Sequence, residues 1–148
     1  MDIKYRTLSA VEASDRLTRL FCELTGEEMT PDIDRLNSLI AAGDLAFHTA
    51  WLDGELVGMT SVIPCRTALS NKLWIEDVAV LSECRGLGIG RGLVEYAMHD
   101  AASRFFAGTF WLTSRPSREA ARKMYASMGF KEHETGVFFL EGTQDKLI

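Results

Sequence analysis

A glycine-rich stretch near the middle of the chain constrains the secondary structure on both sides of it. Residues 85–92 read Arg-Gly-Leu-Gly-Ile-Gly-Arg-Gly, between an apolar, strand-like segment and a segment with helical spacing. Main-chain amides at a helix N-terminus attract phosphate oxygens, and the missing Cβ atoms let those oxygens come close. We therefore predict a strand-loop-helix unit whose natural ligand is a pyrophosphate.

Two common phosphate-binding motifs do not fit this stretch. The dinucleotide pattern Gly-x-Gly-x-x-Gly requires glycine at position 91 or 93, where the chain has Arg91 and Leu93. The Walker pattern fails at the same arginine and lacks its lysine. On the loop alone, a glycine-rich turn that lets a helix pack closely on a sheet remains an alternative.

The first half of the chain predicts a strand, two helices and a hairpin. Alternation at residues 3–7 indicates the strand, and capping-box spacing at residues 9–12 predicts that a helix begins there. A second helix is predicted to follow Thr30-Pro31 and to end near Gly43. Two strands, residues 45–52 and 55–66, are predicted to meet at a tight Asp53-Gly54 turn.

The second half predicts a strand at residues 73–81, a helix over 88–104, a strand at 109–113 and a helix over 117–128 that ends at Gly129. A final hairpin is predicted over residues 130–140. This order predicts an α/β (α+β) fold in which helices flank a mixed, mostly antiparallel sheet. Trp51, Trp74 and Trp111 lie in predicted strands and are interpreted as core residues.

Length and composition argue against several classes of partner, namely nucleic acids, membranes and metal ions. The 148 residues suit a single domain, 1–148, and the net charge of -5 argues against a nucleic-acid partner. The sequence shows neither a signal-peptide core nor a run of about 20 apolar residues, so we expect a soluble, cytoplasmic protein without a membrane partner. The three cysteines and three histidines have no metal-ligand spacing, so no metal site is predicted.

Three segments together resemble the GNAT superfamily of N-acetyltransferases. The pattern [Arg or Gln]-x-x-Gly-x-[Gly or Ala] is met by Arg85, Gly88 and Gly90. Residues 75–80 look like the central strand of that family, and residues 118–130 look like its second cofactor segment. The resemblance is specific from about residue 73 to residue 130, and the first forty residues match only in element order.

The resemblance implies that acetyl-coenzyme A is the co-substrate and that the loop binds its pyrophosphate. In this family the central strand separates from its neighbour at a bulge, where freed amides bind the pantetheine chain and polarise the thioester carbonyl. An asparagine that contacts the cofactor in many relatives is replaced here by Arg118. The predicted cofactor-binding residues are Val78, Ala79, Val80, Arg85, Gly86, Leu87, Gly88, Ile89, Gly90, Arg91 and Arg118.

Two residues are predicted to be catalytic. Tyr125 aligns with the tyrosine that protonates the departing thiolate in many GNAT enzymes. An alkylamine is almost fully protonated at neutral pH, so a base or a water chain must remove a proton before attack. Glu76 and Asp77 are the candidate bases, and in a regular strand only one of them faces the substrate. We prefer Glu76, although pairing of either carboxylate with a nearby cation remains an alternative.

The predicted function is acetyl transfer to a primary amine by direct attack in a ternary complex. The alternative is a GNAT-like module that senses acetyl-coenzyme A without turnover. The acceptor is a small-molecule or peptide amine that the sequence does not identify. A homodimer is compatible with the resemblance, and the residues leave the oligomeric state open.

Overall fold

The computed structural model describes residues 1–142 and contains a five-stranded sheet in the order β1-β2-β3-β4-β5. Its strands are β1 (Ile3–Leu8), β2 (Ala46–Leu52), β3 (Glu55–Arg66), β4 (Asn71–Val80) and β5 (Thr109–Trp111). Its helices are α1 (Asp15–Thr25), α2 (Ile33–Ala42), α3 (Ile89–Arg104) and α4 (Glu119–Ser127). A short 3-10 turn, Ser82–Cys84, follows β4.

The sheet is antiparallel from β1 to β4 and parallel between β4 and β5. The parallel pair is joined by α3, which is the crossover connection that such a pair requires. The predicted fold class, a mixed and mostly antiparallel sheet with flanking helices, is confirmed. Within residues 1–142, no helix combines the length and the apolar composition needed to cross a membrane.

The chain groups into two compact units, Met1–Thr113 and Ser114–Ile148. The first unit holds the sheet with α1, α2 and α3, and the second holds α4. Each unit supplies some of the residues singled out from the sequence.

Both N-terminal helices begin later than predicted. Helix α1 begins at Asp15, after Ser14 accepts a hydrogen bond from the Leu17 amide (3.1 Å), so the capping-box assignment at residues 9–12 is wrong. Helix α2 is capped by Asp32 rather than by Thr30. In each case a short polar side chain nearer the helix, Ser14 or Asp32, accepts from one of the first helical amides. Capping preference alone did not distinguish these residues from Ser9 and Thr30, which have the same kind of side chain.

The predicted C-terminal hairpin over residues 130–140 is wrong for the described residues. No strand forms between residues 130 and 142, and every side chain from Lys131 to Gly142 is exposed. The Thr135 amide donates to the His133 carbonyl (2.9 Å), which closes a turn tighter than a hairpin. Without an apolar face buried against other strands, a two-stranded hairpin is marginal.

Close packing of α3 on the sheet depends on two glycines. A Cβ atom at Gly92 would lie 2.0 Å from the Tyr5 hydroxyl oxygen on β1. A Cβ atom at Gly58 on β3 would lie 3.3 Å from a Leu93 methyl group on α3. These contacts fix the start of α3, and hence the glycine-rich loop before it, against the sheet.

A buried histidine links β2 to the same helix. His48 is fully buried, and its Nε2 lies 2.9 Å from the Asp100 carboxylate on α3, which also accepts a hydrogen bond from Arg104. The His48 Nδ1 atom is buried and has no partner among residues 1–142. Burial lowers the pKa of His48, and Asp100 opposes that shift only in part. The imidazole is therefore neutral at neutral pH and donates from Nε2.

We expect the free energy of unfolding to fall as the pH is lowered from about 7.5 to 5.5. Because the folded pKa of His48 lies below the unfolded value of about 6.5, the unfolded chain binds more protons in this window. The stabilisation is thus complete above the unfolded pKa and is lost progressively as the pH falls towards the folded pKa.

Urea unfolding of the wild type and of a His48→Gln variant, at several pH values, measures this effect. The variant should be about 1–3 kcal/mol less stable at neutral pH and should show a flatter pH dependence. The exposed His99 and His133 are present in both proteins and serve as the internal reference. Equal pH slopes in the two proteins would contradict the assignment.

Candidate active site

The pairing of β4 with β5 covers only the first half of β4, because β5 ends at Trp111. Their parallel pairing runs from Lys72–Thr109 to Trp74–Trp111 and stops there. Beyond Trp74, β4 continues to Val80 with β3 as its only strand partner among residues 1–142. The edge of β4 on the side of β5 therefore presents, beyond Trp74, main-chain groups that no strand of the described residues satisfies.

A β-bulge lies in the same part of β4. Ser61 pairs with Glu76 and Met59 pairs with Ala79, so two steps along β3 oppose three steps along β4. Asp77 takes the left-handed conformation there, with φ of 57°. The buried Thr60 hydroxyl donates to the Glu76 carbonyl (2.9 Å) opposite the bulge. The structure thus contains the bulge that the resemblance implies, and among residues 1–142 no strand pairs with this part of β4 on the side of β5.

The hydrogen bonds after the bulge fix which amides face the unpaired edge of β4. The Leu81 amide donates to the Val57 carbonyl on β3 (2.9 Å). Because main-chain groups alternate in direction along a strand, the Val80 amide points to the opposite edge, which has no strand partner there among the described residues. Within the predicted group 78–80, the same alternation directs the Ala79 amide towards β3, and Val78 adjoins the bulge at Asp77.

Glu76 and Asp77 are adjacent, exposed acids at the bulge. Within residues 1–142 neither carboxylate forms an ion pair, so the described residues give no support to the alternative that a nearby cation holds them. Partial burial raises the pKa of both, and Asp77 raises that of Glu76 further. The argument from strict alternation does not hold here because Asp77 lies in the bulge rather than in regular strand.

The glycine-rich loop leaves the N-terminus of α3 without a side-chain cap. Gly88 is the N-cap and Gly86 precedes it, each with φ of 79° and with no atom within 4 Å of an added Cβ. The first helical hydrogen bond runs from the Gly92 amide to the Gly88 carbonyl (3.1 Å). The amides of Ile89, Gly90 and Arg91 belong to the first turn, where no i−4 acceptor exists. These amides can donate hydrogen bonds to phosphate oxygens.

Both arginines of the loop are engaged by acids of the chain. Arg85 pairs with Glu23 (3.3 Å), which also accepts a hydrogen bond from the Ser82 amide. Arg91 pairs with Glu95 one helical turn later (2.9 Å). The main-chain amides, rather than the two guanidinium groups, are thus the least committed donors of this loop.

Tyr125 and Arg118 belong to the second unit. Tyr125 lies on α4 and is buried, with its ring 5.8 Å from that of Phe130 in an edge-on contact. Burial raises the pKa of Tyr125, and the nearby Arg118 charge opposes that shift. Arg118 is the exposed N-cap residue of α4 and forms no ion pair within residues 1–142. Tyr125 is therefore protonated at neutral pH.

The prediction that the tryptophans are core residues holds in part for Trp51, which packs against the core cluster, and fails for Trp74 and Trp111, which within residues 1–142 are not among the residues packed against it. Trp51, Trp74 and Trp111 are each only partly buried. Trp74 and Trp111 are the last residues paired between β4 and β5, and their ring centroids lie 5.6 Å apart. The Lys72 ammonium lies 4.7 Å from the Trp111 ring centroid. The alternation of Lys72, Trp74 and Glu76 in the sequence was the signal that could have placed them on one face.

Comparison with protein families gives one match that spans most of the chain. The family model described as "Acetyltransferase (GNAT) family" matches residues 14–130. Rat N-acetyltransferase family 8 member 3 is 35% identical over 95 residues, which cover 63% of this chain and 40% of that protein. The chain spans only 40% to 58% of the length of the curated relatives it matches.

Solved structures agree with the fold. The aminoglycoside acetyltransferase HMB0005 from an uncultured soil metagenomic sample has a TM-score of 0.80 at 20% identity, covering 96% of this chain and 100% of that one. AAC(6')-Iy, solved with a bisubstrate analogue that contains coenzyme A, has a TM-score of 0.75 at 17% identity, covering 97% and 100% of the two chains. At these identities the similarity establishes the fold.

Proposed function

Because the chain belongs to the GNAT family of acetyltransferases, we propose that it transfers the acetyl group of acetyl-coenzyme A to a primary amine. The proposal is carried by two features, the edge of β4 that has no strand partner beyond Trp74 among residues 1–142 and the uncapped glycine loop that follows the same strand. The β4 edge offers unsatisfied main-chain groups to an extended pantetheine arm, and the glycine loop offers amides to a pyrophosphate. A single domain spanning residues 1–148 is part of this proposal.

We assign the reaction steps to residues as follows. The amide of Val80, with those of Val78 and Ala79 nearby, holds the pantetheine arm and polarises the thioester carbonyl. Glu76 removes a proton from the amine, directly or through water, and the neutral nitrogen attacks the carbonyl carbon. As the carbon–sulfur bond breaks, Tyr125 protonates the departing thiolate, and the second proton that the nitrogen loses restores the Tyr125 hydroxyl through water. Arg118 is proposed to contact a phosphate of the cofactor.

Acceptors of the relatives suggest where to look for the amine. Two structural neighbours are named aminoglycoside acetyltransferases, and a relative from Sulfurisphaera tokodaii is named an N-alpha-acetyltransferase. A screen that reads free thiol release from acetyl-coenzyme A should therefore include kanamycin, a peptide with a free N-terminus, spermidine and simple arylalkylamines. Uptake of coenzyme A without thiol release from any acceptor would instead support a sensor.

The pH dependence of turnover tests Glu76 as the base. The pKa of Glu76 is raised first by burial and then by Asp77, so kcat/KM should rise with pH through a midpoint above the ordinary value of about 4.3. Glu76→Gln should remove this limb of the profile and lower kcat/KM by about 10- to 100-fold.

Asp77→Asn is the control for Glu76→Gln, because it neutralises the neighbouring carboxylate and leaves Glu76 in place. If Glu76 is the base, removing the neighbouring charge should shift the midpoint downward and leave the plateau rate nearly unchanged. A profile that loses its rising limb in Asp77→Asn but keeps it in Glu76→Gln would transfer the role of base to Asp77.

A further inference from the structure

We infer that the sheet face beside Glu76 binds the acceptor, and that this acceptor is a primary amine on a flat apolar body that ends in an anionic group. The inference rests on the proposed function and specifies its substrate class. It is carried by six side chains that we call the tryptophan face: Ile63, Cys65, Lys72, Trp74, Glu76 and Trp111.

The strand register puts these residues on one side of the sheet. The cross-strand pairs are Ser61–Glu76, Ile63–Trp74 and Cys65–Lys72, and Trp74 pairs in turn with Trp111. Residues two apart on a strand share a face, so Lys72, Trp74 and Glu76 point the same way. On β3, Gly58 faces Leu93 of α3. Val62 lies on the same side of β3 as Gly58 and pairs with Ile75, so Ile75 also faces α3 and its neighbours Trp74 and Glu76 face the other way. The tryptophan face is therefore the side of the sheet away from α3.

The centre of this face is aromatic and partly exposed. Trp74 and Trp111 lie 5.6 Å apart between ring centroids, tilted by 36°, and Ile63 and Cys65 flank them as partly exposed side chains. Indole rings offer a large rigid area to a planar apolar group at a low cost in conformational entropy. The face thus suits an aromatic or similarly flat body better than a sugar or a flexible polyamine.

The two ends of the face carry opposite charges that form no ion pair among the described residues, although the Lys72 ammonium also lies over the Trp111 ring. Glu76 at the bulge forms no ion pair, and neither does Lys72 at the other end, in the part of the chain from residue 1 to 142. Lys72 and Glu76 are four residues apart on β4, which places their Cα atoms about 13 Å from each other. An amine directed to Glu76 would lie beside the open edge of β4, where the thioester is proposed to bind. The distal end of the acceptor would then meet the Lys72 ammonium, which attracts an anion and repels a second cation.

Two matched acceptors test the inference. The first is 3-[4-(aminomethyl)phenyl]propanoate, and the second is its methyl ester, which keeps the amine and the ring but lacks the anion. We expect kcat/KM for the acid to exceed that for the ester by about tenfold in the wild type. Lys72→Gln should reduce this ratio to about one, while Lys4→Gln, on the exposed surface of β1, should leave it unchanged.

Binding provides a readout that does not depend on turnover. With desulfo-coenzyme A present, the acid should quench tryptophan fluorescence at lower concentration than the ester, and Trp74→Phe should remove most of that quenching. Equal values for acid and ester in the wild type, or an acid-to-ester ratio unchanged by Lys72→Gln, would overturn the inference. So would quenching by neither compound.

The failures of the two proposals are distinguishable. If coenzyme A binds and kanamycin or the peptide is acetylated while the acid and the ester are not discriminated, this inference alone is wrong. If the protein takes up no coenzyme A, the proposed function is wrong and this inference is wrong with it.

Discussion

Replacing Tyr125 by Phe is expected to lower kcat by about 100- to 1,000-fold while the affinity for coenzyme A changes by less than about twofold. An ordinary thiol titrates at about 8.5 and a phenol at about 10, so the proton can be shared between the two as the carbon–sulfur bond breaks. Burial raises the pKa of Tyr125, which keeps the proton on the hydroxyl at neutral pH. The substitution removes only the hydroxyl oxygen and keeps the ring contact with Phe130.

Tyr96→Phe is the control for this substitution. The Tyr96 hydroxyl forms a hydrogen bond with the Thr7 hydroxyl (3.1 Å), and its loss should cost about 1 kcal/mol of stability without lowering kcat. Thiol release at saturating acetyl-coenzyme A, with the most active acceptor of the screen, measures both variants. A Tyr125→Phe enzyme with wild-type kcat would exclude this residue as the proton donor.

The fold was largely predictable because its signals are local and consistent. The Asp53-Gly54 turn takes positive φ at both positions, 49° and 84°, and joins β2 to β3 where the sequence predicted. The C-cap Gly43 of α2 also takes positive φ at the predicted end of that helix, and Gly129, which follows the C-cap Met128 of α4, takes positive φ as well. The errors were in helix starts, where several short polar residues compete to cap, and in the last hairpin, whose formation requires tertiary contacts.

The site was predictable only in part. Sequence identified the loop, but it did not show that Arg85 and Arg91 are engaged by Glu23 and Glu95, because one of these pairs joins residues far apart in the chain. The bulge was expected only from the family resemblance, because neither the left-handed conformation of Asp77 nor the early end of β5 has a local signature in the residues. The tryptophan face was missed because apolar residues in strands are interpreted as core unless the packing is known.

Gly88→Val is expected to weaken coenzyme A binding by about 100-fold, which is about 2.7 kcal/mol. A β-branched side chain is strained at a φ of 79°, and its methyl groups would occupy the space that a phosphate oxygen needs near the first amides of α3. No protein atom lies within 4 Å of an added Cβ at Gly88, so the expected effect arises from the loop conformation and the ligand rather than from a clash in the core.

Gly54→Val separates strain from binding. Gly54 has a similar φ of 84° and equally open surroundings, but it lies in the β2–β3 turn. Both variants should lose stability by a similar amount, about 1–2 kcal/mol, because the left-handed conformation is costly for any residue with a Cβ. Only the loop variant should lose affinity.

Calorimetric titration of coenzyme A into folded wild type, Gly88→Val and Gly54→Val decides whether main-chain amides of residues 86–91 hold the pyrophosphate. We predict that the wild type and Gly54→Val bind with matching affinity and that Gly88→Val binds about 100-fold more weakly. No heat of binding in the wild type, or equal affinities in all three proteins, would contradict the assignment of this loop as the cofactor site.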